Sequence, residues 1–278
     1  MSLEAMTFVI TGSARGIGAA TASMAASRGA NVVVSDVNDE AGEATAQAIV
    51  DAGGSARYVH CDVSSEPDVA GLMEAAVEAY GAIDVLHNNA GIHEAMVSRD
   101  FTFDAMSIDT FDRVMAVNVR GAFLCVKAAL PYLKESTRSP SVINAGSTAS
   151  WVGYPAGLAY GTSKGAVALF TKNLAVALAP YGIRANCYCP ASVDTDMVKD
   201  VSASIAGAPS DGPDAGGGAV PGGGAVSTHL VHRIGEPEDV AELVCFLASR
   251  RSSFVNGVTW LIDGGVLAWR DTVDSIGM

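Results

Sequence analysis

Before its twentieth residue the chain has already narrowed what it can become. Thr7-Phe8-Val9-Ile10 is a short apolar run, and Thr11-Gly12-Ser13-Ala14-Arg15-Gly16-Ile17-Gly18 follows it at once. An alanine-rich stretch from Ala19 to about Arg28 comes next, Gly29 stops it, and Asn31 to Ser35 forms a second apolar run. Strand, glycine turn, helix, strand is the context that a dinucleotide-binding fingerprint requires. Glycines let backbone approach a pyrophosphate, and the helix N-terminus offers it unpaired N–H groups and a partial positive charge. Glycine spacing alone often marks no more than a chain reversal. Its place between an apolar strand and a helix is what makes the signal strong.

Asp36 closes the second run, eighteen residues after Gly18. A carboxylate there accepts hydrogen bonds from adenosine ribose hydroxyls; the alternative is a cap on the turn Val37-Asn38-Asp39. In the first case it also repels a 2′-phosphate. Two like charges ~4 Å apart at an effective dielectric of about 20 cost on the order of 4 kcal/mol per unit charge. Arg15 offsets part of that repulsion, and the cofactor expected is NAD.

A second signal stands far downstream. Tyr160-Gly161-Thr162-Ser163-Lys164 places a tyrosine and a lysine four residues apart, on one face of a helix. An ammonium close to a phenol favours the phenolate and lowers a pKa that is about 10 in free tyrosine, which makes tyrosine a usable general base. Such a pair alone is common on amphipathic helices. Ser147, thirteen residues upstream, and the glycine turn give it meaning.

Taken in order, the motifs are Thr11-Gly12-x-x-x-Gly16-x-Gly18, Asp62-Val63, Asn88-Asn89-Ala90-Gly91, Asn118, Ser147, Tyr160-x-x-x-Lys164, Pro190 with Thr195, and Ile262-Asp263-Gly264-Gly265. Along nearly its whole length the chain resembles the short-chain dehydrogenase/reductase family, in its single-domain subgroup of about 250 residues. The three residues between Gly12 and Gly16 argue against the longer, epimerase-like subgroup. The resemblance implies a catalytic set of Asn118, Ser147, Tyr160 and Lys164, with Asn118 in a water relay that returns protons to the lysine. It implies cofactor contacts from Gly12, Ser13, Arg15, Gly16, Ile17 and Gly18, from Asp36 and Val37, and from Asp62 and Val63, with Asp62 accepting from the adenine amino group. Asn89, Ala90, Gly91, Tyr160, Lys164, Pro190, Val193 and Thr195 complete that set. It further implies a homotetramer or homodimer built on the Thr110–Lys134 and Tyr160–Ala179 helices. Two departures stand out. The family's Pro-Gly near the nicotinamide is Pro190-Ala191 here, and the segment from about Asp200 to His232 is longer and richer in glycine.

Strands and helices alternate, which predicts a doubly wound parallel sheet in three α/β/α layers. Helices are expected over Glu40–Ala52, Pro67–Tyr80 with Ser64 or Ser65 as N-cap, and Thr110–Lys134. Further strands are expected over Ala56–His60, Ile83–His87, Ser141–Asn144 and Val258–Ile262. Asn118 in mid-helix signals function or a local kink, because asparagine is a poor helix former there. The stretch after Tyr160 is apolar or small nearly all round, so more than one side of it must be covered, by the sheet and by a partner subunit. His87 and His93 read as hydrogen-bonded structural residues, with His93 open as a substrate contact on the loop Ile92–Ser107. Residues 1–6 read as a disordered or non-native leader and 7–278 as one domain. Gly-Gly-Gly-Ala-Val, at Gly216 and again at Gly222, makes the insertion at about 200–232 a loop, either a lid or a passive insertion. His229 and His232 lack further ligands and read as solvated, while Leu267 and Trp269 in the tail suggest an interface.

Composition excludes several classes. The chain has 278 residues, 49% of them hydrophobic, enough for a full core. A formal charge of −13 disfavours nucleic acid and anionic membrane surfaces. No apolar run approaches the eighteen or more residues that a membrane span needs, and no charged-then-apolar signal peptide opens the chain, so a cytoplasmic protein is expected. The five cysteines, Cys61, Cys125, Cys187, Cys189 and Cys245, lack metal-site spacing and read as reduced structural thiols, with no metal expected. The function expected is an NAD-dependent oxidoreductase interconverting a secondary alcohol and its ketone, with Tyr160 as general acid/base. A carrier-linked 3-ketoacyl reductase and a non-catalytic NAD-binding protein are the alternatives; Asp36 and the acidic composition count against the first, and the filled catalytic set against the second.

Overall fold

The computed structural model describes residues 2–100, 102–154, 156–206 and 229–268. Seven parallel strands form one sheet in the order β3-β2-β1-β4-β5-β6-β7. The strands are β1 Thr7–Thr11, β2 Asn31–Asp36, β3 Ser55–His60, β4 Val85–Asn88, β5 Ser141–Ala145, β6 Arg184–Pro190 and β7 Thr259–Ile262. Helices α1 Gly16–Ser27, α2 Asp39–Asp51, α3 Glu66–Tyr80, α4 Ile108–Met115, α5 Ala122–Glu135, α6 Leu158–Leu178, α7 Asp196–Ala206 and α8 Pro237–Ala248 connect or follow them.

Alternation along the strands divides the core into two layers. Phe8 and Ile10 of β1, Val32 and Val34 of β2, and Ile143 of β5 face α1, α2 and α8, packing with Ala22, Ala25, Ile49 and Val244. Val9, Val33, Leu86 and Val142 point the other way, into Val69, Leu72, Leu124 and Leu174 of α3, α5 and α6. Both faces of the sheet are therefore covered, as a parallel sheet demands. The chain runs outward from β1 through β2 to β3, then returns to β4 on the other side of β1. A crevice opens at that reversal, beyond the C-terminal ends of β1 and β4, and this is where open α/β sheets bind ligands.

Residues 2–6, part of the leader expected at 1–6, pack against the domain. Leu3 N–H donates to Arg28 O and Ala5 N–H to Gly29 O, both at 2.9 Å, and Leu3 and Met6 are buried in the core. The single long helix expected over Thr110–Lys134 is interrupted by a π-helical turn, Ala116–Gly121, with Asn118 inside it. The combined helical segment Ile108–Glu135 is long and apolar enough by composition to cross a membrane. Its apolar side chains have a nearer partner, since Val114 is buried within the protein and Leu124, Cys125 and Leu133 pack into the core layer against the sheet. His229, expected as solvated, is 3% exposed and packs beside Gly264, whereas His232 is exposed. All five cysteines are buried and unbridged. The repeated Gly-Gly-Gly-Ala-Val and Trp269 lie outside the described residues.

Candidate active site

The glycine turn closes against the end of β4. Gly12 has φ +63°, and a Cβ there would lie 2.6 Å from the Ala90 Cα, so any side chain would push the two segments apart. Asn89 ties them together: its amide donates to the Gly12 carbonyl at 2.7 Å and the Thr11 carbonyl at 3.1 Å. Thr11 Oγ1 answers by accepting from the N–H groups of Asn89 and Ala90, both at 3.2 Å. Arg15 begins α1 without a side-chain cap, and the first turn carries no acidic residue. These first-turn N–H groups, set behind a turn opened by Gly12, Gly16 and Gly18, fit a pyrophosphate. Ser13, expected to touch cofactor, turns its hydroxyl inward, donating to Ile10 O at 2.7 Å and accepting from Ser35 N–H at 2.9 Å. Ile17, in the first turn of α1, packs against the core.

Asp36 stands at the end of β2 with both oxygens in use. Oδ2 accepts from Ala14 N–H at 3.1 Å, and Oδ1 from Val37 and Asn38 N–H at 2.8 and 3.1 Å. The cap and the ligand-facing positions are thus the same place, and the residue serves the first while remaining half-buried at the crevice rim. Val37 beside it is exposed. Arg15, the cation that would offset Asp36, is paired with Asp196 at 3.1 Å. Asp62 Oδ1 accepts from the N–H and hydroxyl of Ser64 at 2.9 and 2.7 Å, so it organises its own loop. Val63 is buried against Gly121.

From the opposite side, the segment after β6 reaches over the turn. Thr195 approaches Gly16 closely, and Val193 forms an isolated parallel bridge with Gly235. Ala191 follows Pro190 without entering the left-handed region, so the backbone there needs no glycine.

The second half of the site assembles at the end of β5 and the start of α6. Ser147 caps a short helical turn, Thr148–Ser150, with extended backbone, and its Oγ accepts from Ala149 N–H at 3.1 Å. Ser150 ties that turn to α6 by donating to Lys164 O at 2.8 Å. Lys164 is buried and its Nζ donates to Ala145 O at 2.8 Å. Asn118 Oδ1 and Lys164 Nζ converge on Gly91, each 3.3 Å from where a Cβ would stand. The Asn118 amide clamps the Ile92 backbone, accepting from its N–H at 2.8 Å and donating to its carbonyl at 2.9 Å, and it also donates to Ser163 Oγ at 2.9 Å. Asn118, Ser147, Tyr160 and Lys164 therefore form one cluster.

Burial sets the protonation of this cluster. It pushes the Tyr160 phenol up to about 12, while a hydrogen bond with Ser147 pulls it down. Burial also lowers Lys164 to about 8. The Lys164 ammonium, expected from sequence to lower the tyrosine, is bound here to Ala145 O and lies 5.5 Å from the ring centre.

Two neighbours of Tyr160 carry more than the sequence suggested. His93 packs its ring on that of Tyr160, centroids 4.8 Å apart. Glu94, fully buried, accepts from the N–H groups of Ala159 and Tyr160, both at 3.0 Å. An acidic residue in a loop gives no signal of such a role; only the fold brings it to α6.

Comparison with known proteins agrees with this architecture. The family model described as short chain dehydrogenase matches residues 6–206, and one described as enoyl-(acyl carrier protein) reductase matches 221–267. The chain is 37% identical over 260 residues to cis-4-hydroxycyclohexanecarboxylate dehydrogenase of Sinomonas cyclohexanicum, covering 94% of this chain and 96% of that one. It is 35% identical over 266 residues to 2,5-dichloro-2,5-cyclohexadiene-1,4-diol dehydrogenase of Sphingobium indicum, covering 96% and 98%. Among solved structures, a dehydrogenase/reductase from Sinorhizobium meliloti 1021 superposes with a TM-score of 0.81 at 34% identity, over 95% and 96% of the two chains. With the glycine cradle, the sheet order and a family model spanning most of its length, the chain belongs to the short-chain dehydrogenase/reductase family, whose members use a nicotinamide dinucleotide.

Proposed function

We propose that this protein is an NAD-preferring dehydrogenase that interconverts a cyclic secondary alcohol and its ketone. The observation that carries the reading is the convergence of Ser147, Tyr160, Lys164 and Asn118 beside Gly91, next to the glycine cradle. Gly12, Gly16 and Gly18 with the first turn of α1 would hold the pyrophosphate, Asp36 the adenosine ribose, and Lys164 the nicotinamide ribose. When bound, the nicotinamide supplies the hydride acceptor or donor. The protein's own part is the proton. Tyr160 takes it from the carbinol hydroxyl during oxidation and returns it to the carbonyl oxygen during reduction. Ser147 donates a hydrogen bond to the same oxygen and polarises it. A shift of the Lys164 ammonium from Ala145 O toward the phenol lowers the tyrosine's pKa for the oxidative direction.

Preference for NAD is supported by Asp36 at the crevice rim and by the pairing of Arg15 with Asp196, which engages the cation that would otherwise welcome a 2′-phosphate. Support for a ring-shaped substrate comes from relatives named for alicyclic alcohols and from the aromatic neighbours of Tyr160, His93 and Tyr154. The test follows reduction of NAD and of its 2′-phosphorylated form at the nicotinamide absorbance, with cyclic, aromatic and steroidal alcohols. NAD with a cyclic alcohol should give the highest kcat/KM. Tyr160→Phe should lose roughly 10²- to 10⁴-fold in kcat with cofactor affinity retained. Near-full turnover by that variant sinks the mechanism, and equal kcat/KM for both cofactors sinks the preference.

A further inference from the structure

We propose that Glu94 is a positioning residue for Tyr160, a buried carboxylate that caps the catalytic helix from outside its own segment and fixes where the tyrosine stands. The proposal rests on the reading of Tyr160 as the proton carrier. Helix α6 needs such a cap, because Gly157 at its N-cap position supplies no side chain, and the first N–H groups of a helix have no partner within it. Glu94 fills the need with both oxygens: Oε1 accepts from Ala159 N–H and Oε2 from Tyr160 N–H, each at 3.0 Å. The second bond is made by the tyrosine's own backbone, so the carboxylate holds the residue and not merely the helix.

The carboxylate is itself held. Glu94 is 0% exposed and opens a short helical turn, Glu94–Met96, that His93 caps by accepting from Ala95 N–H at 3.1 Å. His93 Nδ1 lies 3.5 Å from Glu94 Oε2 while its ring packs on Tyr160. Two residues earlier the loop is clamped at Ile92 by Asn118. Hydrogen bonds at Ile92 and at Glu94, joined by the two residues of backbone between them, therefore link the π-turn to Tyr160.

Placement of a negative charge here has a second effect. It is favourable at the N-terminus of α6 yet opposes a phenolate on Tyr160, and it is among the influences holding that phenol up. The other groups facing Tyr160 are Ser147 and Tyr154, Cys189 and Tyr188 of β6, His93 of the loop, and Lys164 of its own helix. His93 is held below its ordinary value by burial, with Glu94 drawing it back up. Removing the Glu94 charge leaves the imidazole still more firmly neutral, so it does not mask the change at the phenol.

Glu94→Gln keeps size and one acceptor but sets an amide N–H against one of the two donors; Glu94→Ala removes both bonds. Either variant should exchange its Ala159 and Tyr160 amide hydrogens faster than the parent. Displacement of the tyrosine should lower kcat about 10- to 100-fold, with KM for NAD within about twofold of the parent. The apparent pKa in the kcat/KM profile should move to lower pH in Glu94→Gln, whose fold is the better preserved. Unchanged exchange at the two amides, or a profile that stays in place while activity follows only the folded fraction, overturns the proposal. Retained turnover in Tyr160→Phe is a different failure: it removes the tyrosine as proton carrier and with it the catalytic claim for Glu94, while the exchange measurement still reports the cap.

Discussion

His87 is fully buried, with Nε2 3.0 Å from the Tyr188 hydroxyl, which in turn donates to Asn89 Oδ1 at 3.2 Å. Asn89 holds the glycine turn, so this network stiffens the floor of the crevice without touching the reacting atoms. Burial depresses the imidazole from its ordinary 6.5 to about 3. Between these two values the unfolded chain binds a proton that the folded chain refuses, so stability falls as the pH drops below about 6.5 and rises with pH across the window. At pH 5 the loss relative to pH 7 is on the order of 2 kcal/mol. His87→Gln removes the titration while leaving a polar side chain for Tyr188, and thermal midpoints at pH 7 and pH 5 compare the two. The parent should lose clearly more stability than the variant; equal losses would show that His87 does not titrate in that window. At this scale the sequence was readable where chemistry is local. Tyr160 and Lys164 announce themselves by spacing, and Asp36 by ending a strand after the glycine turn. Glu94 and the inward hydroxyl of Ser13 depend on what lies across from them in space, which no neighbour in sequence reports.

The π-turn Ala116–Gly121 is the clearest case of a local misfit that the fold puts to use. Asparagine inside an apolar helix signals either a kink or a function from sequence, and the structure shows a widened turn whose side chain reaches out to the Ile92 peptide. Asn118→Leu would leave that N–H and carbonyl without partners, a loss of about 1–3 kcal/mol per buried group left unpaired. Lower thermal stability and faster amide exchange from Ile92 to Val97 should result, with turnover falling because the same loop carries Glu94. Parent-like protection of the loop in that variant would count against the clamp. Other elements were legible because burial on one or both faces leaves a pattern, as in β1, β2 and β5 with their runs of Val and Ile. Strand β6, Arg184–Pro190, escaped that reading. Helix α8 and the loop that follows it supply partners for polar residues that would otherwise not be buried: Arg184 donates to Leu247 O at 2.8 Å and Asn186 to Val255 O at 3.0 Å. A buried strand whose arginine and asparagine find carbonyl partners has neither the alternation nor the apolar run that marks a strand.

For the molecule as a whole, the open question is what covers the outer face of α6. One side of that helix, with Val167, Thr171, Leu174 and Leu178, is buried against the rest of the chain. Leu169 and Val176 face outward at 61% and 77% exposure, and Phe123 of α5, half exposed, packs its ring near Phe170 with centroids 6.3 Å apart. The patch therefore spans two adjacent helices, and its aliphatic and aromatic side chains are flanked one turn away by exposed Lys127 and Lys172. Exposed apolar surface of that kind on a chain of net charge −13 is best explained by a second copy, since closed homo-oligomers bury the same patch twice about a two-fold axis. A self-complementary contact also escapes the repulsion that a negatively charged chain feels elsewhere on its surface, because none of these four residues ionises. The expected assembly is a dimer or tetramer joined through α5 and α6. Sedimentation velocity at micromolar concentration should show a species well above the 28.3 kDa monomer. Leu169→Glu with Val176→Glu places two carboxylates on each copy where the faces meet, and should return the protein to monomers while leaving its circular dichroism unchanged. A monomeric parent, or a double variant that sediments like the parent, means that these helices do not make the interface.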